Sequence, residues 1–145
     1  MPSFQSHIFK IITKTISVRM NSISSVPKLR AFMEMGSAKP FLPQGVKIKP
    51  YTVNVIPVEW IIPSQTLSKS VILYLHGGGW TLGWKNNHRT LVAHICQSSS
   101  SRALAVDYRL APENPFPAAL EDCLATYRWL LHNGCSPHQI VIAGD

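Results

Sequence analysis

The sequence predicts an α/β domain built on a mainly parallel sheet, with antiparallel strands ahead of it and a helical segment at the N-terminus. Three observations carry this. Short continuous apolar runs at 71–75, 103–106 and 140–143 have the character of parallel strands covered on both faces. Helical patterns at 90–97 and 118–133 fall between them, and alternation of strand and helix marks parallel crossover units. Two β-like runs at 51–56 and 58–62, separated by Pro57, read as an antiparallel hairpin or one bulged edge strand, because proline in a sheet favours edges.

The elements follow in order from the N-terminus. Phe4, Ile8, Ile11, Ile12 and Ile16 recur at helical spacing, Lys10, Lys14 and Arg19 interrupt them, and no acid precedes Glu34. This basic amphipathic helix is open to three readings: a mitochondrial-type presequence, a helix in weak contact with a membrane surface through residues 4–20, or a helix packed over an active site. Lysines break the apolar run, so a secretory signal is not expected. Residues 36–50, with Pro40, Pro43, Gly45 and Pro50, read as a linker. The expected division is therefore a cap-like helix and linker over 1–50 and an α/β domain over 51–145. Within that domain, 118–133 is the clearest helix. Leu120, Leu124, Tyr127, Leu130 and Leu131 form its expected apolar stripe, and Gly134 sits where a C-terminal cap belongs.

Composition narrows the function. The chain has 145 residues, of which 46% are apolar and only 14% charged, which excludes a disordered protein. Its net charge of +7 is uneven. Residues 1–50 hold eight lysines and arginines against Glu34 alone, while 51–145 hold six of each sign. No zinc-finger, helix-turn-helix or RNA-binding signature accompanies the basic residues, so no nucleic-acid partner is expected. Cys96, Cys123 and Cys135 form no C-x-x-C pair, which argues for free thiols rather than a disulfide framework or a metal site. No apolar run reaches 18 residues, so no transmembrane helix is expected. A cytoplasmic protein is expected, with the mitochondrion as the alternative.

The chemistry-bearing motif is His76-Gly77-Gly78-Gly79-Trp80, directly after the run at 71–75. Consecutive glycines let a backbone adopt positive φ and turn its N–H groups toward a ligand. Acyl transfer needs such donors, because the attacked carbonyl oxygen becomes an oxyanion. A structural turn is the competing reading; a phosphate loop is not, since no G-K-[ST] follows. Two further segments follow buried runs: Asp107-Tyr108-Arg109-Leu110-Ala111-Pro112-Glu113, and Ile142-Ala143-Gly144-Asp145.

These three segments, in this order, resemble the hormone-sensitive-lipase-like branch of the α/β-hydrolase fold, in which an HGGG segment, a D-Y-R-L-A-P-E segment and a G-D-S-A-G nucleophile elbow succeed one another. The resemblance spans about residues 51–145 and identifies the chain as the N-terminal part of that fold. It implies a serine carboxylic ester hydrolase, esterase- or lipase-like, working through an acyl-enzyme on short- or medium-chain esters, with no cofactor and no metal. It implies that Gly78 and Gly79 offer oxyanion-hole N–H groups and that His76 holds the loop with Gly77. Trp80 either lines the acyl or alcohol pocket or packs beneath the loop. Asp107, Tyr108 and Arg109 are expected to brace the loop, and Asp145 to precede the nucleophile and help set the elbow. Glu59-Trp60 is a further, short match.

In this fold the triad runs serine, acid, histidine along the chain, so the serine is expected immediately after Asp145. None of His7, His76, His88, His94, His132 and His138 then serves as the base. Nucleophile, acid and base are absent from the 145 residues, and the chain as written is expected to be an inactive fragment. Two alternatives stand beside the enzyme reading: a non-catalytic, receptor-like binder of small molecules on the same fold, and a truncated isoform.

Overall fold

The computed structural model describes residues 3–21, 25–35, 39–84 and 86–145. The chain forms two compact units, Met1–Gly36 and Ser37–Asp145. The first holds α1 (Phe4–Asn21) and α2 (Val26–Met35). Helix α1 is the expected one, although the side chains of Phe4, Ile16 and Arg19 lie outside the described residues. Helix α2 has no counterpart in the sequence reading. Its Pro27 sits in the first turn, where a missing N–H removes no helical bond.

In the second unit, β1 (Lys47–Val53) and β2 (Ile56–Ile62) form an antiparallel hairpin. Its turn is at Asn54 and Val55 rather than at Pro57. Asn54 takes φ 56°, a left-handed conformation that asparagine tolerates better than most residues. Pro57 lies inside β2 opposite Thr52, just outside the stretch 58–61 paired on the other side with β4 (Arg102–Val106), so no N–H is asked of it there. The sheet also begins before the expected boundary at residue 50. Val46 is buried, and the Phe41 N–H donates to Thr90 Oγ1 at 3.0 Å, so this side of the expected linker is packed chain; residues 36–38 lie outside the described residues.

With β3 (Val71–Leu75) and β5 (Ile140–Gly144) the sheet order is β1-β2-β4-β3-β5. β3 pairs in parallel with both β4 and β5, while β1, β2 and β4 are joined antiparallel. Successive strand residues point to opposite faces. Ile72, Tyr74, Ala103 and Ala105 therefore join Val92, Ala93 and Cys96 of α3 (Asn86–Ser99) on one face. Val71, Leu73, Leu104 and Val106 meet Leu130 of α4 (Ala118–His132) on the other. The apolar run at 140–143 reads by itself as a buried strand, but β5 occupies the sheet edge, the place a 1-2-4-3-5 strand order of the resembled family gives it, and Val141 and Ile142 are 51% and 63% exposed.

The buried face of α4 keeps Leu130 of the expected stripe, with Tyr127 packed against the same cluster, but not Leu120 or Leu124. Ala118, Asp122, Thr126 and Leu130 are buried, a row at four-residue spacing, whereas Leu120 and Leu124 are 58% and 41% exposed. Small side chains let the helix approach the sheet closely, and the polar members of the row are satisfied internally. Thr126 Oγ1 donates to the Asp122 carbonyl at 2.9 Å, and the Asp122 carboxylate receives Arg109. The chain leaves the helix through Gly134 at φ 88°. Leu130→Ala is expected to destabilise the second unit by about 2–5 kcal/mol, the usual cost of emptying a core leucine site. Leu120→Ala and Leu124→Ala are expected to cost less than about 0.5 kcal/mol each. Urea denaturation of the three variants separates the two faces.

Candidate active site

The parallel pairing of β3 with β5 brings the glycine loop to the end of the last strand. Leu75 lies opposite Gly144, and the next residues in each strand's direction are His76-Gly77 and Asp145. A Cβ on Gly144 would sit 2.5 Å from the Leu75 carbonyl oxygen, and one on Gly77 would sit 2.6 Å from the Asp145 carbonyl oxygen. Both contacts exclude every residue but glycine. The Asp145 carboxylate closes the junction: its Oδ1 accepts from the Tyr74 hydroxyl at 2.8 Å and from the Gly77 N–H at 3.0 Å. On its other oxygen, Oδ2, His88 Nε2 lies at 3.5 Å. Partial burial would raise the Asp145 pKa, but the Gly77 and Tyr74 hydrogen bonds and the two nearby histidines outweigh it and hold the carboxyl below its usual value. The same burial, with the aspartate beside it, raises the pKa of Tyr74, which keeps its hydroxyl a donor.

Beyond Gly77 the backbone turns sharply. Gly78 has φ 118° and Gly79 φ 59°. The Gly78 carbonyl accepts the N–H groups of Thr81 and Leu82 at 3.2 and 3.0 Å, closing the turn. Among the described residues no acceptor takes the N–H of Gly78 or of Gly79. A Cβ on Gly78 would lie 2.7 Å from the Leu82 carbonyl oxygen, whereas one on Gly79 meets nothing within 4 Å. Gly79 and Trp80 stand on the wall of a cavity of about 630 Å³, and Trp80 is 68% exposed with φ 56°. Of the two positions open to Trp80, the structure has it at the cavity wall and not beneath the loop. The rest of the wall is mostly apolar and comes from Leu75, Tyr108, Ala111, the stretch 114–117 and Ala119, Leu120 and Cys123 of α4. Leu120, though exposed, thus faces this cavity.

His76 is buried under the loop. Its ring stacks on Tyr108 with centroids 4.1 Å apart and planes 6° apart. Its Nδ1 lies 2.8 Å from the Gly77 carbonyl, and a carbonyl can only accept, so Nδ1 carries the proton. Nε2 is left as a buried lone pair with no partner among the described residues. Burial depresses the His76 pKa most, aided by His88 and opposed by the Gly77 bond and the nearby carboxylates of Asp107 and Asp145. The Tyr108 hydroxyl donates to the His76 carbonyl, and burial pushes the Tyr108 pKa up to about 12.

Of the other residues expected to brace the loop, Asp107 accepts the backbone N–H of Trp84 just beyond it. Arg109 does not reach the loop. Its backbone N–H and guanidinium both bind the Asp122 carboxylate of α4, at 2.9 Å and 2.8 Å. Asp122, one helical turn beyond Ala118, thus takes both the main-chain and the side-chain donors of Arg109. A second brace went unread in the sequence. Glu59 accepts Arg89 through both oxygens, at 2.8 and 2.7 Å, and Trp84 Nε1 at 2.7 Å. This ties β2 to the start of α3 and to the strand-to-helix connection. Burial opposes the Glu59 charge, but Arg89 and Trp84 outweigh it and lower its pKa. The short Glu59-Trp60 match was the only sequence signal of this cluster. Its partners, like Tyr74 and His88, lie 25 to 71 residues from the groups they bind.

The His76 environment predicts a pH dependence. A histidine whose folded-state pKa is depressed contributes fully above its unfolded value near 6.5 and loses that contribution as pH falls toward the folded value. Chemical denaturation midpoints are expected to drop as pH is lowered through 6.5. His76→Phe, which keeps the stack on Tyr108 and removes the titrating ring, is expected to flatten that drop.

A sequence profile of the α/β hydrolase fold family matches residues 72–145. Carboxylesterase NlhH of Mycobacterium tuberculosis is 32% identical over 148 residues, which span 95% of this chain and 46% of that protein. An acetyl-hydrolase of Streptomyces hygroscopicus is 43% identical over 94 residues, 65% of this chain and 31% of its own length. Among solved structures, an esterase from the bacterial hormone-sensitive lipase family superposes with a TM-score of 0.77 at 38% identity, over 88% of this chain and 43% of that one. The chain thus spans half the length or less of these relatives. The matching profile, the shared sheet and these esterase relatives together establish that the chain belongs to the α/β-hydrolase fold family, in its hormone-sensitive-lipase-like branch.

Proposed function

We propose that this chain carries the oxyanion-binding part of a serine carboxylic ester hydrolase that acts on esters of short or medium acyl chains. The observation that supports it best is the pair of untaken N–H groups on Gly78 and Gly79, beside an apolar cavity and fastened through Gly77 and Asp145 to the end of β5. Donors fixed before the reaction stabilise developing charge without reorganising when it forms. In the proposed reaction a serine following Asp145 attacks the ester carbonyl, a histidine further along takes its proton, and the carbonyl oxygen becomes the anion that Gly78 and Gly79 hold. Collapse expels the alcohol, to which the histidine returns the proton, and water releases the acyl group by the same steps. His76, Gly77, Tyr108 and Asp145 keep the loop in place, Asp107 supports the segment after it, and Arg109 fixes α4 under the cavity. Trp80 forms part of the wall against which the acyl or alcohol chain lies. The names of the relatives, acetyl-hydrolase and carboxylesterase, fit this substrate class.

Within the 145 residues no serine stands in a nucleophile elbow, so the chain as written is expected to give no fluorophosphonate-sensitive hydrolysis of p-nitrophenyl butyrate. Such turnover would overturn the proposal. Sequence downstream of codon 145 is expected to read Ser-Ala-Gly, with an aspartate and a histidine later. A replaced histidine there would favour a non-catalytic binder. In the protein extended through that sequence, Gly78→Ala keeps the N–H but sets a Cβ 2.7 Å from the Leu82 carbonyl oxygen at φ 118°, so the turn must shift and carry the donor with it. There kcat is expected to fall by about 10²–10³-fold, the cost of losing one oxyanion donor. Gly79→Ala, with open space at its Cβ, is expected to cost less.

A further inference from the structure

No step of the reaction proposed above draws on a residue of the first unit, which has features of its own. Residues 8–15 of α1 are all exposed, including Ile8, Phe9, Ile11 and Ile12 at 43%, 70%, 66% and 50%. At about 100° per residue these four side chains fall in one arc of roughly 160°. Lys10 and Lys14 fall opposite its centre, beside Ser6, Thr13 and Ser17. The hydroxyls within or next to the arc are already satisfied. Thr15 Oγ1 donates to the Ile11 carbonyl at 2.9 Å, and Thr13 Oγ1 to those of Phe9 and Lys10 at 2.9 and 3.0 Å. Burying that face in an apolar phase therefore leaves few polar groups without partners.

We propose that α1 docks on an anionic lipid bilayer, lying in the plane of its surface with Ile8, Phe9, Ile11 and Ile12 among the acyl chains. Charge complementarity selects this occupant. Residues 1–33 carry Lys10, Lys14, Arg19, Lys28 and Arg30 and no acid, while the α/β part beyond residue 50 carries equal numbers of each sign. An anionic surface attracts a cationic helix, and each lysine adds several-fold to the affinity at low salt. No described helix is long and apolar enough to cross a membrane, which fits a helix that lies on the surface and does not span it. The apolar face supplies the burial and the lysines the orientation, with their stems reaching up to the headgroups. This inference does not depend on the esterase reading, since no step of the proposed reaction uses these residues.

Co-sedimentation of the full chain with vesicles tests it. Vesicles containing 30% phosphatidylglycerol are expected to bind at least ~10-fold more tightly than pure phosphatidylcholine in low salt, with most of that difference lost at 0.5 M NaCl. Ile8→Ser with Ile12→Ser, and separately Lys10→Glu with Lys14→Glu, are each expected to weaken binding more than ~10-fold. All four positions are exposed, and circular dichroism of each variant checks that its helices persist. Equal binding to neutral vesicles, or binding indifferent to both double substitutions, overturns the proposal. So does protection of the α1 side-chain face in buffer that vesicles leave unchanged, which would show the face already covered by protein.

Discussion

Everything at the candidate site rests on one close approach, the contact between the backbone of Gly77 and the end of β5. Two parallel strands normally keep their continuations apart with side chains. Here the two glycines, one after each strand's last paired residue or at it, remove the Cβ atoms that would collide with the facing carbonyl oxygens. A loop that must present N–H groups beside an adjacent strand's terminus can reach there only if that strand is its direct neighbour. The β4-β3-β5 order supplies this, and the Asp145 carboxylate locks it with two hydrogen bonds.

Most of the loop's polar groups are spent on holding its shape. The Gly77 N–H goes to Asp145, the Gly78 carbonyl closes the turn, the Gly77 carbonyl takes His76, and the His76 carbonyl takes Tyr108. Among the described residues the N–H groups of Gly78, Gly79 and Trp80 have no acceptor. Those of Gly78 and Gly79 both lie on exposed backbone at the top of the turn, clear of the bonds that hold the loop. The supporting layer is charged but compensated. Glu59 with Arg89 and Asp122 with Arg109 are both two-toothed pairs, a geometry that fixes direction as well as distance. One orients the connection into α3 and the other orients α4, and between them they set opposite sides of the site.

The inward Asp122 also explains how the cavity comes to exist. If α4 packed on its leucines, Leu120 and Leu124 would fill the space against the sheet. With the small-residue row inward, the helix sits close, and Leu120, with Phe116 just before the helix, is turned toward the cavity. An apolar wall is thereby made from side chains that, counted by periodicity alone, belong to the core.

Much of this was legible in the residues themselves. The three buried runs, the helix ending at Gly134, the antiparallel start and the glycine loop follow from local rules: side-chain period, backbone freedom and turn chemistry act over a few residues and leave a pattern. Strand order, with β5 at the edge, came with the family resemblance and from no local pattern, and the face of α4, the position of the hairpin turn and the partners of Arg109, Glu59 and Asp145 left none. Each is a choice among distant groups, settled by which pairing buries apolar surface while satisfying every charge, and that comparison exists only once the whole sheet is assembled. The sequence by itself therefore determined what the glycine loop is able to do. Tertiary structure alone decided what it stands next to, because proximity across 68 residues is a property of packing and not of the chain.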